Sequence, residues 1–330
     1  MRVGIRWKIV CALVALLSLA GCEDLDNPDT LRLAVNPWPG YGYFAVARER
    51  GLLGKPGTPE LEIVETASLS DSVRAFKRGQ VDMLGGTLAE LAAINQSGKR
   101  AASAVLVLDR SVGADMIVAS KDITSLDQLA GKRLALEPAS VNVLVLAAAL
   151  AESGLQLEQL ELLPLPQGEM PVAMAKGQAD AAIIYPPISG ELEALAGFDR
   201  LFDTGQAPDA VVDLLIVADT VIDQHPRALA SVIQAHNEAL RWGQNNPAEV
   251  HKLLAKHTGL SIEELVTLSD SIEMLTLDNQ AAFWQPTGPL HRLLPVAGRI
   301  VQQLNTRAAE GTGIPSQVLN NRFIPNSEAP

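Results

Sequence analysis

Short apolar runs separated by polar, glycine-bearing breaks fill the first two thirds of the chain. Longer amphipathic stretches take over in the last third. The runs at 31–35, 60–65, 81–84, 104–108, 116–119, 133–136, 160–164, 181–184 and 211–218 have the length and composition of buried strands. Between them, 44–51, 70–78, 88–96, 143–152, 172–176 and 190–196 read as helices, with Gly51, Gly79 and Gly154 at or just past three of their ends. A brief helix at 125–130, capped by Ser125 with Gln128 as its capping-box partner, stops at Gly131. Thr87 stands where it can cap 88–96 after Gly85 and Gly86. Strand, helix, strand, helix is the grammar of an α/β fold built on parallel sheet. Beyond Asp219 the pattern is helical: 226–245, 247–257, and 261–269 with a Ser261/Glu264 capping box. A short helical turn is predicted at 289–294, with Pro295 as the first residue of a last helix reaching about 307. The tail, 313–330, reads as irregular chain.

Three places break the pattern in ways that suggest chemistry. After the first strand, residues 36–43 carry two prolines and two glycines, predicting an irregular loop. Trp38 and Tyr41 sit in it, either to pack on a ligand or to plug the core, since such loops at strand carboxyl ends are where open α/β sheets bind ligands. Ser140 stands at a strand-to-helix junction. It reads either as a simple cap or as a hydroxyl beside free backbone N–H groups, a place for a small polar or anionic ligand. Asp213 interrupts the apolar run at 211–218. A carboxylate there is costly unless paired or wet, so it faces either a cleft or a solvent edge.

A repeat then points to two lobes. The string Lys77-Arg78-Gly79-Gln80-Val81-Asp82 returns as Lys176-Gly177-Gln178-Ala179-Asp180. In each, a helix with basic residues at its negative end meets a glycine, then Gln-x-Asp enters an apolar strand. Matching positions in two similar lobes explain the pair.

The first 21 residues read as an export signal. Arg2, Arg6 and Lys8 precede a short apolar core, and Leu19-Ala20-Gly21-Cys22 has the form of a lipoprotein cleavage site. Cleavage there leaves Cys22 first and lipidated, followed by a polar tether to residue 30, and takes the formal net charge from −12 to −15. The expectation is a chain anchored by lipid at the outer face of a membrane, in the cell envelope, without a second spanning segment. With Cys11 removed, no disulfide can form within the mature chain.

The acidic balance disfavours nucleic acid, which needs a basic footprint. The five histidines, His225, His236, His251, His257 and His291, form no metal-binding pair, and there is no GxSxG, P-loop or dinucleotide-binding motif. No nucleophile–base set can be named, so neither an enzyme nor a cofactor or metal site is expected.

The chain resembles the substrate-binding proteins of bacterial ABC importers, in the nitrate/sulfonate/taurine group that includes thiamine-pyrimidine binders. The residues that carry this are Trp38-Pro39-Gly40-Tyr41, Gly113-Ala114-Asp115-Met116, Leu129-Ala130-Gly131-Lys132-Arg133-Leu134-Ala135-Leu136-Glu137 with Ser140, and Gly177-Gln178-Ala179-Asp180. The resemblance implies a two-lobed type II periplasmic-binding fold with a ligand cleft between the lobes. Lobe 1 would be 31–112 with 216–330, lobe 2 would be 113–215, and the crossovers would fall at 111–114 and 213–217. It also implies a monomer that passes a small molecule to a permease and its ATPase. By position, Trp38, Tyr41, Thr87, Ser140, Val141, Asn142 and Tyr185 would face the cleft, and Asp213 is a further candidate from its place in the apolar run. Where the family often has aromatic-Glu-Pro, this chain has Tyr185-Pro186-Pro187, so the ligand is in question. No Arg or Lys lies in those loops. A sulfonate or nitrate would depend on helix N-termini and hydroxyls, and a neutral or aromatic pyrimidine- or amide-like ligand stacked on Trp38 or Tyr185 fits as well. An enzyme on the same fold (a pyrimidine synthase, though its Cys-rich segment is missing here) and a ligand-sensing module for a membrane receptor are the alternatives.

Overall fold

The computed structural model describes residues 30–304 and 316–325. The export signal, Cys22 and the tether as far as residue 29 lie outside the described residues, as does Ile314-Pro315 of the tail. Two sheets organise the chain. The first holds β1 (Thr30–Val35), β2 (Glu60–Glu65), β3 (Met83–Gly86), β4 (Ala102–Ser111), β10 (Val212–Ala218) and β11 (Ile272–Met274), in the order β11-β4-β10-β3-β1-β2. The second holds β5 (Met116–Ser120), β6 (Arg133–Leu136), β7 (Glu161–Pro164), β8 (Ala181–Ile184) and β9 (Phe198–Asp203), in the order β7-β6-β8-β5-β9.

Each sheet is built round a parallel trio: β2, β1 and β3 in one, β7, β6 and β8 in the other. An antiparallel strand then joins each trio, β10 beside β3 and β5 beside β8. The repeated Gln-x-Asp strings fall at matching points of the trios. Asp82 accepts from the backbone N–H, Nε and Nη2 of Arg32, and Asp180 accepts from the same three atoms of Arg133. The preceding glycines, Gly79 at φ 72° and Gly177 at φ 64°, leave their helices through the left-handed region, which costs a residue with Cβ about 1–2 kcal/mol.

The chain passes to the second sheet over 112–115 and returns over 204–211. The return expected at 213–217 lies instead within β10, which belongs wholly to the first sheet. Ladder hydrogen bonding to both β3 and β4 satisfies the backbone of this apolar run, so it forms a central strand rather than a connector.

Helix α1 (Pro39–Glu49) begins five residues earlier than the prolines and glycines suggested. Pro39 takes the first turn, where its missing N–H is no loss. Gly40 and Gly42 are demanded by packing: a Cβ on Gly40 would collide with Asp109 Oδ2, and one on Gly42 would sit 2.6 Å from Leu254 Cδ2. Gly85, expected in a loop, lies in β3 with the Tyr41 ring across it. The space for its Cβ is 2.7–2.8 Å from ring atoms. Helices α2 (Leu69–Lys77) and α3 (Leu88–Gln96) pack on the first sheet, and α4 (Asn142–Ser153), α5 (Met170–Ala175) and α6 (Ile188–Glu193) follow in the second lobe.

The expected Ser125 cap is absent. Residues Leu126–Leu129 form a 3-10 turn, and Gln128 Oε1 accepts from Thr124 N–H instead. The last third contributes α7 (Asp219–Gln224), α8 (Pro226–Asn245), α9 (Pro247–Thr258), α10 (Ile262–Leu268) and α11 (Pro289–Leu304) to the first lobe. The Ser261/Glu264 capping box forms as expected. Helix α11 runs through Pro295, whose predicted role was to start a separate helix. Its buried Leu290, Leu294, Ala297 and Val301 keep one apolar face against the core on both sides of the proline.

Candidate functional site

The two sheets meet over a small buried cavity. From the first lobe come Asn36, Trp38 and Tyr41 around the start of α1, Leu69 at the start of α2, and Asp213 on β10. From the second come Val141, before α4, and Tyr185, after β8, and Asp115 enters from the crossover. About 10 Å3 of the cavity admits the centre of a water molecule. That is room for about one water. Trp38 and Tyr185 close it from opposite lobes, edge to face, with ring centroids 6.4 Å apart at 85°. A groove of about 450 Å3 on the same measure runs past Tyr43, Gly243, Leu254, Leu265 and Met274. All of its walls belong to the first lobe, so lobe closure would not enclose anything held there.

The register of β4 and β10 places Asp109 directly opposite Asp213. Trp38 Nε1–H donates to Asp109, at 3.2 Å from Oδ1 and 3.3 Å from Oδ2, and the Tyr41 hydroxyl donates to Asp213. Burial pushes Asp109 up to about 7, although hydrogen bonds with Trp38 and Asp213 draw it back. Asp213 rises well above the carboxylate range through burial and then through the charge of Asp109. Two adjacent buried carboxyls cannot both ionise cheaply, so the pair retains a proton. The question left by the sequence is settled by position: Asp213 faces the cleft, not a solvent edge.

Asp115 is held at the end of the crossover, where its N–H donates to Ser111 Oγ at 3.1 Å. Its carboxyl lines the cavity, burial pushes it up to about 7, and its Oδ2 has no partner. Asn36 Oδ1 and the Tyr185 hydroxyl are likewise buried, on the cavity wall, and unpartnered. The carbonyl of Tyr185 is fixed by Gln167 Nε2–H at 3.1 Å.

Of the residues the sequence singled out, Trp38, Tyr41, Val141, Tyr185 and Asp213 converge on this cavity. Thr87, Ser140 and Asn142 do not line it, because local structure takes up most of their polar atoms. The Thr87 hydroxyl accepts from Ala89 N–H and donates to Glu90 Oε2, starting α3. Ser140 Oγ donates to Glu137 O and accepts from Asn142 N–H, and Asn142 Oδ1 accepts from Glu137 N–H. Asn36, Asp109 and Asp115 were missed as site residues. Asp109 carried the same signal as Asp213, a carboxylate closing an apolar run. Among the described residues, no three His, Cys, Asp or Glu side chains are arranged to hold a metal ion.

A Brucella abortus protein named as a binding protein is 24% identical over 293 residues, covering 82% of this chain and 87% of its own. The taurine-binding periplasmic protein of Escherichia coli is 23% identical over 263 residues, covering 76% and 80%. The alkanesulfonate-binding protein of Xanthomonas axonopodis, solved with MOPS bound, superposes with a TM-score of 0.64 at 20% identity, over 82% of this chain and 95% of that one. The fold also carries catalysis: a desulfurization enzyme matches with a TM-score of 0.60 at 18% identity, over 91% and 98%. The family described as NMT1/THI5 like matches residues 38–250. The chain, an α/β protein on the two-lobed periplasmic-binding fold, therefore belongs to the NMT1/THI5-like family.

Proposed function

We propose that this protein is the extracytoplasmic solute-binding component of an ABC importer, not an enzyme. It captures a small molecule between its lobes and delivers it to a permease and its ATPase. One observation carries the reading: a small buried cavity walled from both lobes, lined by Asn36, Asp115 and Tyr185, each with an unpartnered polar atom. Such a site is formed only when the lobes come together, so ligand and closure stabilise one another. Relatives named for binding taurine and alkanesulfonate support the same role. Lipid on Cys22 would hold a monomer at the membrane while the polar tether leaves the lobes free. Trp38 and Tyr185 would pack on the ligand, Tyr41, Asp213 and Val141 would complete the wall, and Thr87, Ser140 and Asn142 would shape it from behind.

The test is a thermal-melt screen of the chain from Glu23 onward. Its panel holds sulfonates, taurine, nitrate, amides, ureas, amines and aminopyrimidines. Ligand at about 100 times its dissociation constant adds about 2.7 kcal/mol, a rise of several degrees. The affinity of the hit should fall at least tenfold in Trp38→Ala and be unchanged in Val266→Ala, at an exposed residue of the larger groove. A hit indifferent to Trp38→Ala would refute the site, and a panel without a hit would refute the reading.

A further inference from the structure

The cleft is surrounded by carboxyl groups and has no basic side chain in its lining. Asp109, Asp115 and Asp213 are joined by Glu90 on α3 and Glu137 after β6, and all five are at most 4% exposed. Among the described residues none of the five forms an ion pair. Buried carboxylates without cationic partners are rare, because desolvation opposes their charge and neutral hydrogen-bond donors return only part of the loss. At the cavity itself, Asp115 Oδ2 and Asn36 Oδ1 are both acceptors, both buried, and both without a donor.

Resting on the binding role above, we propose that the group captured in this cleft is a small organic cation. An ammonium, amidinium or guanidinium nitrogen would donate to Asp115 Oδ2, Asn36 Oδ1 and the Asp213 carboxyl, against the faces and edges of Trp38 and Tyr185. Separate N–H donors suit acceptors that are not gathered for a metal ion. Aromatic walls add cation–π attraction to the same charge. An anion would meet the opposite: the carboxyls of Asp115 and Asp213, with no cationic side chain on the wall. With room for about one water in the closed form, the part that reaches the carboxylates must be small, and entry requires the lobes to part.

Protons occupy this site when the cation does not. Asp109 and Asp115 sit at about 7 and Asp213 above the ordinary range, so a bound cation favours their ionised forms and expels protons. Glu90, pushed to about 7, and Glu137, raised by burial, act in the same sense. Tyr41, Tyr43 and Tyr185 are raised and stay neutral, and His236 on α8, lowered to about 4, is neutral near pH 7. Affinity should therefore rise with pH through about 7, by up to about tenfold per unit for each proton released.

The experiment is calorimetric titration of the chain from Glu23 with matched probes at pH 6, 7 and 8. Methylammonium, acetamidinium and guanidinium are set against methanesulfonate, nitrate, acetamide and Ca2+. The proposal expects saturable binding by at least one organic cation, at least fivefold tighter at pH 7 than at pH 6, with proton release in buffers of different ionisation heat. Asp115→Asn should weaken that binding at least tenfold without lowering the melting temperature. Saturation by methanesulfonate, nitrate, acetamide or Ca2+ with no response to the organic cations overturns the proposal while leaving the solute-binding role intact. Silence from every probe overturns both. Cation binding that is equally tight at pH 6 and 8 and unaffected by Asp115→Asn also overturns it.

Discussion

The burial of Asp115 makes a prediction about stability that is independent of any ligand. Its carboxyl is 2% exposed, Oδ2 is unpartnered, and burial raises it from 3.8 to about 7. A raised carboxyl means that the folded protein holds a proton that the unfolded chain releases. Stability from this group is therefore full below the unfolded value and is lost as pH rises towards 7. The shift of about 3 units corresponds to about 4 kcal/mol at the extreme. At pH 5 the unfolded chain has already claimed about 1.5 kcal/mol of that, so about 3 kcal/mol remains to be lost by pH 8. Asp115→Asn places a neutral group of the same shape in the same pocket and never ionises. Relative to wild type it should gain about 2–3 kcal/mol of stability between pH 5 and pH 8. Urea unfolding of both proteins, followed by circular dichroism at pH 5, 6.5 and 8, measures the difference directly. A gap that does not change with pH, or a variant less stable than wild type at pH 8, would show that Asp115 is not a buried uncompensated carboxyl.

Two further outcomes test the packing around the cleft. Gly40→Ala drives a methyl towards the Asp109 carboxylate in the first turn of α1. It should cost about 1–3 kcal/mol by thermal melt, as overpacking does, and a variant as stable as wild type would mean that α1 is not seated against β4. Tyr185→Phe removes a buried hydroxyl that has no partner, so ligand-free stability should hold or rise by about 1 kcal/mol. A loss greater than that would reveal a partner for the hydroxyl.

Most elements could be read from the sequence because their causes are local. Period, strand length, glycine stops and capping pairs such as Ser261/Glu264 act within a few residues, and helix α8 begins and ends where its pattern does. The Gln-x-Asp repeat carried even a tertiary relation, since each aspartate ties the end of one strand segment to the arginine of its parallel neighbour. Where the local argument failed, a distant partner had changed the balance. Prolines and glycines at 37–42 read as a loop, but Gly40 and Gly42 are the contact points that let α1 lie against Asp109 and Leu254. The early start of α1 is thus a packing result. Half of the cleft followed the same rule. Trp38, Tyr41 and Tyr185 were visible as aromatics in loops after strands, and Asp213 as a charge in an apolar run. Its pairing with Asp109 depends on strand register, which no short window of sequence contains. Composition and pattern determined an acidic two-lobed α/β chain. Only the tertiary structure decided that Asp213 of β10, paired with Asp109 of β4, would share one small space with Asp115 of the crossover, because that space exists only where the two lobes meet.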